Sequence, residues 1–109
     1  MPITIQWSGA GDVSRCALAG VLDLTTEPRV RRALMQALAQ RPRTLVIDLG
    51  DVTFIDSTGL RALLSARNRA STTGTRVVLA RVAPAVERTL EIANLVGFFE
   101  YEVAAERRS

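Results

Sequence analysis

The sequence predicts a single α/β domain: a mixed β-sheet, opened by an N-terminal hairpin and continued by parallel crossovers, packed with about three main helices. Three observations lead there. Short β-branched runs at 45–49 and 76–80 are each followed by a stretch whose apolar residues fall at helical spacing. Before them, Ile3, Ile5 and Trp7 alternate with polar residues, a glycine-bearing turn follows, and Val13 to Leu18 reads as a second strand. Finally, 109 residues supply one hydrophobic core and not two.

Each element has its own signal. Ser8-Gly9-Ala10-Gly11-Asp12 is turn chemistry between two strands; the two glycines resemble a phosphate loop only weakly, because no helix follows. Gly20-Val21-Leu22-Asp23 leads into a first helix over about 26–40, with Thr26 at its cap, Glu27 in the first turn and Pro28 where proline is tolerated. Val30, Ala33, Leu34, Ala37 and Leu38 form its buried stripe, and Arg41-Pro42-Arg43 stops it. The strand Leu45-Val46-Ile47-Asp48-Leu49 comes next, then a second helix to about Ser71. Thr73-Gly74 turns the chain into the 76–80 strand. Ala83-Pro84 opens a third helix with Val86, Leu90 and Ala93 on one face and Asn94 near its end. A last strand is expected over 98–103.

Composition excludes several chemistries. The sequence pI of about 10.4 suggests a nucleic-acid binder, yet the net charge is only +3. The difference arises because all 14 basic residues are arginine, which keeps its charge to very high pH. With no basic stripe and 5% aromatic residues, nucleic-acid binding is not expected. Without histidine there is no Ser-His-Asp or Cys-His dyad and no imidazole metal ligand; without lysine there is no Walker A lysine or Schiff base. The acids at Asp48 and Asp51 do not have the spacing of aspartyl-phosphate phosphatases, and a receiver domain needs a lysine this chain lacks. No enzyme, cofactor or metal is therefore expected. Cys16 stands alone, so no internal disulfide forms, and in its strand it reads as a packed, inert thiol. No signal peptide or bilayer-spanning run is visible, so a cytoplasmic protein without membrane insertion is expected.

The most informative stretch is Val52-Thr53-Phe54-Ile55-Asp56-Ser57-Thr58-Gly59-Leu60. It puts an acid, two hydroxyls and a glycine where a strand gives way to a helix. Asp56 and Ser57 are both good N-cap residues, and a hydroxyl at a helix start sits where free amides favour a phosphate. Ser57 or Thr58 is thus a candidate switch; the plain alternative is a capped helix. Gly59 would serve close approach of a partner, or would only relax the first helical turn.

Residues 52–64 resemble the signature of the STAS domain, nearest to bacterial anti-sigma factor antagonists. Gly20-Val21-Leu22-Asp23 is similar to the Gly-x-Leu/Ile-Asp loop closing that family's second strand, and 45–49 to its central strand. Pro84-Ala85-Val86-Glu87-Arg88 through Leu95-Val96-Gly97-Phe98-Phe99 resembles its last helix and strand. The resemblance implies a STAS domain over 1–105, with 106–109 a short tail. It implies a protein that binds an anti-sigma factor serine kinase, is phosphorylated on Ser57, loses that binding, and is restored by a PP2C-type phosphatase. Thr58 becomes a structural hydroxyl. Asp23 and Asp56, with Thr58, Gly59 and Arg61, would form the partner surface, and Arg61, four residues on from Ser57, would reach a phosphate there. The alternative function is a STAS accessory subunit of a lipid transporter, or a scaffold in another signalling complex. Two departures stand out: Arg61 replaces a small residue, and the extra C-terminal helix of many relatives is missing. The second would leave a sheet edge or helix layer less covered and favour a homodimer.

Overall fold

A computed structural model describes residues 3–102. Five strands form one sheet in the order β1-β2-β3-β4-β5: β1 (Ile3–Ala10), β2 (Val13–Leu22), β3 (Thr44–Ile55), β4 (Arg76–Ala80) and β5 (Glu100–Tyr101). The first pair is antiparallel and the other three are parallel, so the expected hairpin and crossovers are both present. The helices are α1 (Glu27–Ala39), α2 (Ser57–Thr73) and α3 (Pro84–Ile92). Successive strands are added in one direction across the sheet, and right-handed crossovers then put every helix on the same face.

Side-chain alternation builds the core on that face. Cys16, Leu18 and Leu22 of β2 join Leu45, Ile47 and Leu49 of β3 and Val77 and Leu79 of β4. Against them pack Val30, Leu34 and Leu38 of α1, Leu60, Leu63 and Ala66 of α2, and Val86 and Leu90 of α3, all in one cluster. Cys16 lies inside it, and burial pushes its thiol up to about 12.

The opposite face carries a set of ion pairs. Arg15 reaches Asp48 at 3.3 Å and Glu102 at 3.2 Å, Arg81 lies 3.6 Å from Asp48, and Arg76 meets Glu100 at 2.6 Å. Asp48 Oδ1 also accepts the Gly50 N–H at 2.9 Å. The Arg81 guanidinium lies over Gly50, so that a Cβ there would stand 2.5 Å from Arg81 Nε and the arginine would have to shift aside.

Three expectations are corrected. The central strand does not stop at Leu49 but runs to Ile55, because register shifts between Ala17 and Ala19 and between Gly20 and Val21 keep β2 and β3 paired past Gly50. Ala93 is not on the buried stripe of α3: it is the exposed C-cap, and Asn94 follows in the left-handed region at φ 61°. The last strand shrinks to Glu100–Tyr101, preceded by a 3-10 turn at Val96–Phe98. Arg67 Nε donates to the Phe98 carbonyl and so takes a ladder acceptor away. Val103, the tail and the missing-helix expectation lie outside the described residues.

Candidate functional site

The extension of β3 delivers the chain to the first residue of α2. Asp56 is the N-cap, in extended conformation, and its Oδ1 accepts the Gly59 N–H at 2.9 Å. The helix ladder begins with Leu60 N–H to the Asp56 carbonyl at 2.9 Å. The amides of Ser57 and Thr58 remain as free donors of the helix start. Ser57 is exposed at the first helical position, Thr58 is half-buried, and Gly59 is buried.

Gly59 faces its own chain. A Cβ there would stand 2.8 Å from Leu22 Cγ and closer still to the Leu22 carbonyl oxygen. The Asp56 N–H donates to that same carbonyl at 3.3 Å. Leu22 therefore joins the end of β2 to the start of α2, and the loop after Leu22 is carried along with it.

That loop is braced from within. Asp23 Oδ1 accepts from the Thr25 N–H at 3.0 Å and the Thr25 hydroxyl at 2.8 Å, which together with the Thr26 N–H hold the Asp23 carboxyl below its ordinary value, the Thr25 hydroxyl first among them. Thr26 sits at the N-cap of α1 as expected, but its hydroxyl points back, accepting from the Asp23 N–H at 3.0 Å and donating to the Val21 carbonyl at 2.8 Å. Leu24, at the tip, is 71% exposed, an apolar side chain displayed and not stored. A third element closes in from α3, where Thr89 lies within 3.3 Å of the Ile55 carbonyl.

The structure thus brings together the Asp23 loop and the Asp56–Ser57 helix start. Arg61 is exposed on the next turn of α2 and has no hydrogen bond or ion pair among the described residues. Sequence reasoning placed Leu22 in the Gly-x-Leu/Ile-Asp loop but missed its packing on Gly59, and it missed Thr25, whose N–H lies two residues after an aspartate as an Asx turn requires. It also missed Arg15 as the partner of Asp48; that pair crosses from β2 to β3 and leaves no local spacing to read. Among the described residues no group of three or more Cys, Asp or Glu side chains is arranged to hold a metal ion. No described helix is long and apolar enough to cross a membrane.

Fold and site together define a small α/β domain that displays one serine at a capped helix start beside a braced acidic loop. The chain belongs to the STAS domain family, whose model matches residues 6–107. A STAS-domain containing protein of Pseudomonas aeruginosa is 31% identical over 100 residues, spanning 92% of this chain and 98% of that protein. The anti-sigma-F factor antagonist RsfB of Mycobacterium tuberculosis is 34% identical over 61 residues, 56% of this chain and 50% of its own length. Among solved structures, an anti-sigma factor antagonist from Mycobacterium paratuberculosis superposes with a TM-score of 0.81 at 29% identity, covering 96% of this chain and 89% of that one.

Proposed function

We propose that this protein is a non-enzymatic anti-sigma factor antagonist that binds an anti-sigma factor serine kinase and is switched off by phosphorylation of Ser57. The observation that carries the reading is Ser57 itself: an exposed hydroxyl on the first residue of α2, on a backbone fixed by the Asp56 cap and by Leu22. A kinase can take such a hydroxyl without unfolding its surroundings. The names of the mycobacterial relatives support the antagonist role.

The physics of the switch follows from the geometry. A phosphate adds about −1.5 to −2 charges at one oxygen. The free amides of Ser57 and Thr58 and the positive end of α2 accept that charge, so the fold survives. The change falls on the partner surface to which we assign Asp23, Asp56, Thr58 and Arg61, while Gly59, packed on Leu22, keeps the helix start in place from within. Added negative charge beside two existing carboxylates alters both shape and potential there. A PP2C-type phosphatase returns the binding form.

The test is incubation with a kinase-type anti-sigma factor of the same organism and ATP, followed by peptide mass spectrometry and a binding assay. Phosphate on Ser57, absent in Ser57→Ala, together with loss of binding on phosphorylation, is expected. No phosphorylation by any such kinase would overturn the reading and favour a STAS accessory subunit of a lipid transporter or a scaffold.

A further inference from the structure

The two edges of the sheet are protected to very different degrees. At one edge β5 is only two residues long, Glu100 puts charge on it and Glu102 directly after it, and Arg67 ties up the Phe98 carbonyl just before it. Short, charged and irregular edges are how proteins prevent strand-to-strand association. The other edge, β1, is neither short nor charged, and an arginine ties up only its first carbonyl, that of Ile3. It runs for eight residues, Ile-Thr-Ile-Gln-Trp-Ser-Gly-Ala, without a charge or a proline, in a chain with 25 charged side chains (14 basic and 11 acidic).

Its free groups can be assigned from the hairpin. Gly11 and Asp12 form a two-residue loop closed by the Ala10–Val13 pair. Alternation from that pair turns the backbone N–H and C=O groups of Ile3, Ile5 and Trp7 away from β2. The Arg29 guanidinium, reaching over from α1, donates to the Ile3 carbonyl at 2.7 Å, as an outward carbonyl permits. No described residue takes the outward groups of Ile5 and Trp7. Beside them Trp7 is 46% exposed, in a shallow groove with Ser14, Ala33, Gln36, Ala37 and Gln40, again without a charged side chain.

We propose that this edge is the interface of a homodimer, in which β1 pairs antiparallel with β1 of a second copy to give a continuous ten-stranded sheet. A second copy is the occupant that fits. An edge strand meets its own copy antiparallel about a twofold axis, the arrangement of an isologous interface, and the pairing closes because the β5 edges stay guarded. Neutrality fits as well: the residue on the axis meets its own copy, and a charge there would have met its own sign. With outward groups on Ile5 and Trp7, Ile5 pairs with Trp7 of the other copy, and the axis passes by Gln6, which faces its own counterpart. The Ser57 region lies at the end of β3, two strands in from this edge, so the dimer and the switch are separable.

Sedimentation equilibrium on the full chain over a concentration series tests the proposal. The wild type is expected to double its 11.8 kDa mass in the micromolar range. Gln6→Lys, an exposed change on the solvent side of β1, is expected to weaken association by roughly tenfold or more through like-charge repulsion, with an unchanged circular dichroism spectrum and melting curve. Mixing Gln6→Lys with Gln6→Glu should restore dimers, because the two signs then meet across the axis. A monomeric wild type, a Gln6→Lys protein that associates as the wild type does, or a mixture that stays monomeric would each overturn it. Trp7→Pro, which removes an outward N–H and leaves the β1–β2 ladder bonded, should also be monomeric. Ser57 phosphorylation and partner binding are expected to be the same in Gln6→Lys and the wild type.

Discussion

Leu22 and Gly59 are in contact so close that no side chain fits between them: a Cβ on Gly59 would lie 2.8 Å from Leu22 Cγ. Leu22 is the last residue of β2 and Gly59 lies in the first turn of α2, so this one contact fixes the Asp23 loop relative to Ser57. The Leu22 carbonyl adds a second tie by accepting the Asp56 N–H. Two loops from different crossovers thereby behave as one surface.

Gly59→Ala must push α2 off the end of β2, because the obstacle is backbone as well as side chain. A loss of about 1–3 kcal/mol is expected from overpacking of this kind. Denaturant unfolding monitored by circular dichroism measures it. Partner binding should fall further than the lost stability explains, since the Asp23 loop and Ser57 move apart.

Asp56→Ala removes the acceptor of the Gly59 N–H and frays the start of α2. The expected cost is about 1 kcal/mol, the usual value of an N-cap, and Asp56→Ser should recover most of it. The phosphorylation rate at Ser57 provides an independent readout: it should drop in Asp56→Ala as the acceptor backbone loosens.

Arg61 stands one turn beyond Ser57 with its guanidinium uncommitted among the described residues. Once Ser57 carries phosphate, an (i, i+4) pair becomes available, worth about 0.5 kcal/mol on a helix surface. Arg61→Ala should therefore lower the melting temperature of the phosphorylated protein and leave that of the unmodified protein nearly unchanged. Equal shifts in the two forms would show that no such pair exists.

Cys16 should be silent to thiol reagents in the folded protein at pH 8 and react fully in denaturant. Its folded value of about 12 exceeds the ordinary thiol value of 9.0, so the unfolded chain gives up the proton first. Between those values the folded state holds more protons than the unfolded one, and stability falls as pH rises. Asp23 acts with the opposite sign. Its carboxyl is held below the ordinary value of 3.8, so what it contributes is present above that pH and is lost as pH drops through the folded value. Urea midpoints at acid and alkaline pH, with Cys16→Ala as the alkaline control, check both directions.

Much of the fold could be read along the chain because its signals are local. Period-two alternation at Ile3, Ile5 and Trp7, helical spacing through Val30, Leu34 and Leu38, and Pro84 at a helix start each depend on near neighbours only. The end of β3 could not be read this way. Past Leu49 the alternation is broken by Gly50 and Asp51, and only the shifted pairing with β2 keeps the strand going to Ile55. The final strand failed for a similar reason, since the groups that shorten it, Arg67 and the Phe98 carbonyl, are 31 residues apart.

By itself the sequence determined the order of elements, the single core and the placement of Asp56 and Ser57 at a helix start, all through periodicity and capping chemistry. Tertiary structure decided what surrounds that serine. Whether Gly59 turns outward or packs inward, and whether Asp23 lies loose or is braced, depends on where the ends of β2 and β3 meet. That meeting is set by strand register, a long-range property with no local spacing to reveal it. Leu22, legible in the sequence only as part of the Gly20-Val21-Leu22-Asp23 loop, is the residue on which the two halves of the site join.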